Sequence, residues 1–233
     1  MGILMSAKTI DFHYSFAFEN QQELKFDIRL DANTLNCIQN ESSQTSPWAR
    51  LENHQCPNCT LRSADHPYCP IALNLLDLLI PFNDMYSYEN VYVQVQTKER
   101  LYAARVSVQT GLSALLGIYM VTSGCPILSK LKPMVRFHLP FATVEETIYR
   151  SVSTYLLGQY YRFRDQREAD WSLSGLRRIY EDIQIVNVAM AQRLRSIAQK
   201  DANVNALIVL DIFAKQLPLS IDESLKRLEY LFH

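Results

Sequence analysis

The stretch that decides the fold is KTIDFHYSFAFENQQELKFDIRLD, residues 8–31. Phe12, Tyr14, Phe16 and Phe18 alternate with His13, Ser15, Ala17 and Glu19. That period of two is what a half-buried strand requires. ENQQE supplies a turn, and Leu24, Phe26, Ile28 and Leu30 repeat the alternation on the return. Two alternating runs around a short polar turn read as an antiparallel hairpin. Its single apolar face must be covered by another layer.

The same pattern recurs downstream and then changes. Val91, Val93 and Val95 alternate with Tyr92, Gln94 and Gln96, Thr97 to Arg100 turns the chain, and Tyr102 to Gln109 returns it, so residues 90–109 read as a second hairpin. From Gly111 to Val121 the chain is apolar nearly all round, the mark of a buried helix, which Ser123-Gly124 ends. Thr143 and Glu146 have the spacing of a capping box and open a long helix to about Arg164. Leu176, Ile179, Tyr180, Ile183, Val186, Met190, Leu194 and Ile197 recur at helical spacing, predicting a helix over 173–199. Asp201 caps a helix running to Leu217, Pro218 stops it, and Ser220 with Glu223 opens a last one. Strands first and helices last give an α+β fold class: N-terminal antiparallel hairpins carrying a cysteine loop, then a C-terminal helical bundle. We read residues 1–233 as a single domain, with a strand-rich layer over 8–110 and a helical layer over 111–233.

Composition narrows the function. Apolar residues make up 48% and charged residues 20%, so the chain can bury a core without disulfides. A net charge of −1 lacks the basic surplus that duplex nucleic acid demands. The longest apolar stretch, Gly111 to Val121, is about half the roughly 20 residues a bilayer needs. MGILMSAKTI has no basic segment followed by a long apolar one, so no signal peptide is read there. Gly2 and Ser6 match the short myristoylation pattern, but no polybasic second signal follows. Residues 39–47, QNESSQTSP, form a polar loop. The expectation is a cytoplasmic protein without nucleic acid or membrane as partner.

The chemistry concentrates in HQCPNCTLRSADHPYCP, residues 54–70. Five cysteines in a chain read as intracellular argue for metal or redox chemistry rather than a disulfide framework. Cys56 and Cys59 form a C-x2-C pair that places two thiolates on one ion, and Cys69 supplies a third. The fourth tetrahedral position falls to His66, local in sequence, or to distant Cys125, with His54 a weaker candidate. Zinc is the expected ion. An all-cysteine set also admits an iron–sulfur cluster, ranked below zinc because the spacing matches no common ferredoxin. Cys69-Pro70 and Cys125-Pro126 each place a thiol before a residue suited to a first helical turn, where an N-terminus stabilises thiolate. That context makes Cys125 either a ligand or a reactive thiol. Cys37, after a strand, reads as core.

A second candidate site lies in MVRFHLPF, residues 134–141, where Arg136 and His138, with Arg150 in the next helix, suggest an anion or nucleotide pocket. Glu145 and Glu146 are explained by capping, and Tyr155, Tyr160 and Tyr161 read as core or partner surface. No recognised catalytic motif occurs.

CPNC…CPIALNLLDL, SYENVYVQVQTKER, QTGLSALLGIYMVTSGCP and MVRFHLPFATVEETIYRSVSTYLLGQYY together resemble a family of bacterial proteins of unknown function, over nearly the whole chain. The resemblance implies a bacterial, cytoplasmic origin and no activity. The leading expectation is a zinc-stabilised, non-enzymatic module that binds a protein partner or regulates. The alternatives are a thiol-based redox sensor or enzyme using Cys125, and a small-anion binder using Arg136, His138 and Arg150.

Overall fold

The computed structural model describes residues 8–38 and 46–233, and only the backbone at 216–220 and 224. Gly2 and Ser6, and most of the polar loop 39–47, lie outside the described residues. Strands β1 (Thr9–Phe18), β2 (Glu23–Asp31), β3 (Asn90–Gln96) and β4 (Leu101–Ser107) form one antiparallel sheet in the order β2-β1-β3-β4. The register explains why the alternation was so clear. Phe16 lies opposite Leu24 on one side and Val93 on the other, and Val93 faces Ala104. Phe12, Tyr14, Phe16, Ile28, Leu30, Val91, Val93 and Val95 thereby share one buried face. On β1 and β2 the other face carries ion pairs such as His13 with Asp27 and Arg29 with Asp11.

Helix α1 (Pro70–Leu79) follows the cysteine loop, with Cys69 as N-cap and Pro70 at the first helical position, as its sequence predicts. Helix α2 (Val108–Val121) leaves β4 directly and lies under the sheet. Its end comes where Ser123-Gly124 places it, with Gly124 at φ 95°, a conformation suited to glycine. A short helix α3 (Lys132–Arg136) precedes α4 (Val144–Arg164), which opens on the Thr143–Glu146 capping box in full. Helices α5 (Ser174–Arg195) and α6 (Ala202–Leu228) complete the bundle, and α6 packs on α2, α4 and α5. One buried apolar cluster runs from the sheet through α1 and α2 into α4, α5 and α6.

Two expectations fail at the C-terminus. Pro218 does not end a helix, and Ser220 with Glu223 does not open a new one, because α6 runs unbroken through both. A proline inside a helix loses one hydrogen bond and crowds the preceding turn. Here α6 packs along three other helices, and tertiary burial outweighs that local cost. Asp201 does stand at the N-cap of α6, yet its carboxylate accepts from the backbone and hydroxyl of Ser87 (2.8 and 2.9 Å) instead of capping its own helix.

The approach of α2 to the sheet rests on Gly111. A β-carbon there would lie 2.8 Å from Val93 Cγ2 and 2.9 Å from Phe16 Cε1, both rigid core groups. At Gly117, two turns on, the nearest atom would be Leu210 Cδ2 at 3.8 Å, an ordinary contact. Helix propensity favours alanine over glycine by roughly 1 kcal/mol at either site, so the contacts decide the sign. Gly111→Ala is expected to destabilise by about 1–3 kcal/mol, and Gly117→Ala to be neutral or stabilising, in urea unfolding. Equal effects at the two positions would contradict the close approach.

Candidate functional site

The cysteine loop is built on backbone pairing. Leu51 N–H donates to Pro67 O (3.0 Å), Cys69 N–H to Ala49 O (2.8 Å), and Arg50 bridges Tyr68, so residues 49–51 and 67–69 run as a two-stranded ribbon. Between them Cys59 N–H donates to Cys56 O (2.9 Å), closing the C-x2-C turn. Cys69 is buried at the start of α1, and its thiol makes no capping bond.

Cys125 comes to this loop from the other half of the chain. Asn58, inside the C-x2-C turn, donates from Nδ2 to the Asp182 carbonyl (3.0 Å), and Lys130, five residues beyond Cys125, pairs with the Asp182 carboxylate (3.2 Å). Asp182 on α5 therefore anchors both turns. Burial, followed by the charges of Cys69, Cys125 and Cys59, pushes the Cys56 thiol up to about 12, while the Arg193 cation pulls it down. Four thiols thus share one electrostatic neighbourhood. His66 is exposed, with its backbone N–H on Arg62 O, and His54 is exposed too. In the arrangement seen, no three His, Cys, Asp or Glu side chains among the described residues stand close enough together to hold an ion.

The expected helix N-cap at Cys125 is not formed. Pro126 opens a turn that leads into a short 3-10 segment, Leu128–Leu131, rather than an α-helix. Burial pushes the Cys125 thiol up, against the backbone N–H groups of Leu128 and Ile127 that point at it and pull it down. Burial works against the thiolate that a reactive Cys125 would need. Cys37, read as core, is half-buried, donating its N–H to Thr122 O (3.1 Å).

Sequence reading missed Arg193. It is 2% exposed, on the buried side of α5. Its Nη1 donates to the carbonyls of Trp48 (2.6 Å) and Arg50 (2.8 Å), and its Nη2 to Leu51 O (3.4 Å). Trp48 Nε1 returns a bond to the Arg193 carbonyl (2.8 Å). No carboxylate among the described residues pairs with Arg193, and the anion-forming groups whose charges it feels are the thiols of Cys69, Cys56 and Cys59. An arginine inside an apolar helical repeat carries no sequence signal that separates it from a solvated one.

The second candidate site is divided by the fold. Arg136 is exposed, its guanidinium lying over the Phe137 ring. Arg150 Nη2 donates to the carbonyls of Met134 and Phe137 (2.9 Å each), closing the turn after α3. His138 meets Tyr14 through Nε2 (2.5 Å), tying this turn to the sheet. Burial, then the Arg150 charge, lowers His138 to about 3, so it is neutral at ordinary pH. His138 and Arg150 line one apolar cavity, which Arg136 does not reach. The three do not form a joint anion pocket.

The family model for DUF6901, a domain of unknown function, matches residues 12–233, and the chain belongs to that family. Comparison with curated proteins and with solved structures found no match. No helix among the described residues is long and apolar enough to cross a membrane.

Two measurements check these geometries. Arg193→Met removes a charged donor from three loop carbonyls, leaving Leu51 O with none among the described residues and Trp48 O and Arg50 O with Asn53 alone, and is expected to cost about 3 kcal/mol in urea unfolding; a loss under about 1 kcal/mol would show that loop 48–51 does not depend on it. His138 has a folded pKa near 3, below its ordinary 6.5, so the unfolded chain takes the proton first. Its contribution is complete above pH 6.5 and falls by roughly 1 kcal/mol per pH unit below that. The slope between pH 6.5 and 4 is expected to flatten in His138→Gln, and an unchanged slope would assign it to other groups.

Proposed function

We propose that Cys56, Cys59, Cys69 and Cys125 bind one structural zinc ion, and that the protein is a zinc-stabilised binding or regulatory module rather than an enzyme. The observation that carries this reading is Arg193: a buried cation with no carboxylate partner among the described residues, set against the thiols. Four thiolates around one divalent ion leave two excess negative charges, and a buried guanidinium beside them offsets part of that excess. Without a cation the four thiols oppose each other's ionisation, as the upward push on Cys56 reflects. The N–H groups of Leu128 and Ile127 aimed at Cys125 suit a metal-bound sulfur, which accepts such bonds. The ion requires the thiols to draw closer than they stand, which the turns at 56–59 and 125–128 can accommodate because Asp182 already holds them side by side.

Four protein ligands leave no open coordination position, so the ion's role is to fasten the cysteine loop to the turn after α2. Reduced thiols of this kind fit a cytoplasmic protein. A partner-binding role is supported by the exposed aromatic side chains Tyr160, Tyr161, Phe163 and Trp171 near the end of α4.

Elemental analysis is expected to find one zinc per chain in colourless protein, and chelation to lower the melting temperature by about 10 °C, equivalent to roughly 3–4 kcal/mol. Cys125→Ser is expected to lose the metal and His66→Ala to keep it. The opposite pattern would make His66 the fourth ligand. A brown protein carrying iron would replace zinc with an iron–sulfur cluster. Protein that contains no metal and gains no stability on zinc addition would overturn the proposal.

A further inference from the structure

Away from the cysteines, α2, α4, α5 and α6 enclose a cavity of about 230 Å³ with the turn after α3. Its walls are apolar, with Ile118, Leu131, Ile183 and Phe213 among them. An engineered apolar cavity of about 150 Å³ already accepts benzene. Protein interiors are otherwise packed like organic crystals, and every wall of a void forfeits its dispersion contacts.

Two of the polar side chains in the lining have bonding capacity to offer a ligand. Asn187 lines the cavity, is 3% exposed, and its side-chain amide makes no hydrogen bond among the described residues. A buried amide in that state is costly unless something supplies its bond. Arg150 lines the same cavity and has no carboxylate within ion-pair distance among the described residues. Its Nη2 is engaged by two carbonyls, while Glu146, whose charge it feels, is bound to Thr143 in the capping box. The neutral imidazole of His138 stands in the same lining.

The two features lie at different depths. Tyr180 marks the Arg150 end, because it bonds Ser151, the neighbour of Arg150, at 2.6 Å. Asn187 lies seven residues along α5, a rise of about 10 Å. Tyr180, Ile183 and Asn187 all line the cavity, as helical spacing of three and four places them on one face.

The geometry points to a binding site for a small amphiphilic carboxylate: an acid group on Arg150, an apolar body in the cavity, and a hydroxyl or carbonyl about 10 Å away on Asn187. The site is independent of the cysteine cluster and of any metal there. Cation and amide act at opposite ends, so each sets preference for a different part of the ligand.

Calorimetric titration with 8-hydroxyoctanoate, octanoate and 1,8-octanediol tests this. The hydroxy acid is expected to bind at least about tenfold more tightly than either of the others, since a site built to bond a hydroxyl rejects the analogue lacking it. Arg150→Met should erase the preference over the diol. Asn187→Leu should erase the preference over octanoate and raise the melting temperature of the ligand-free protein. Gly117→Leu fills the cavity from α2 without touching either polar group, and should abolish binding of all three even if Arg150→Met does not fold. Equal affinities for the three probes, or no binding at millimolar concentration, overturns the inference.

Discussion

The structure depends on one buried guanidinium. Arg193 donates to the carbonyls of Trp48, Arg50 and Leu51, the first two of which Asn53 also reaches, through Nδ2 (2.9 Å) and its backbone N–H (3.2 Å). Buried carbonyls need donors, and for Leu51 O the donor comes from α5 through this side chain. The neighbouring backbone bonds from Leu51 to Pro67 and from Cys69 to Ala49 then set the path of the cysteine loop and the starting point of α1. Trp48 locks the arrangement from the opposite direction by donating to the carbonyl of Arg193 itself. Charge, backbone pairing and the start of a helix thus follow from a single side chain.

Helix α2 is the second organising element. It touches the sheet at Gly111, where the absence of a β-carbon fixes how closely helix and sheet approach, and it packs on α6 with ordinary spacing at Gly117. The turn after α3 is held to the sheet by Tyr14 and His138 and to α4 by Arg150. The cavity lies where this turn arches over α2. Leu128 connects the two regions of interest, because its N–H points at Cys125 while the residue also lines the cavity.

Local signals carried much of the fold. The hairpins read at 8–31 and 90–109 placed all four strands, since one face of the sheet is buried and the other wet, although β4 ends at Ser107 and the expected strand residues Val108 and Gln109 open α2 instead. The capping box at Thr143, Pro70 after Cys69 and Gly124 after α2 acted within a few residues of themselves and appear as read. Pro218 and the Ser220–Glu223 pair are equally local signals, and they failed because burial of α6 against three helices outweighed them. Cys125-Pro126 opens a single turn, closed by Ser129 N–H on Cys125 O (3.0 Å), which passes into the 3-10 segment Leu128–Leu131 instead of a continuing α-helix.

By itself the sequence determined the α+β class, the four strands, helices α1, α2, α4 and α5, and the residue types able to bind metal, because each follows from periodicity, capping or side-chain chemistry over short distances. Tertiary structure alone decided the rest. It brought Cys125 from the other half of the chain into the electrostatic neighbourhood of Cys56, where Asp182, a residue with no distinguishing sequence context, anchors both turns. It buried Arg193 and Asn187, which a helical pattern cannot tell from solvated neighbours. It also separated Arg136 from Arg150, although they lie only fourteen positions apart in the chain. Which polar groups lose water, and which meet each other, is a property of packing between elements distant in sequence, and no local pattern encodes it.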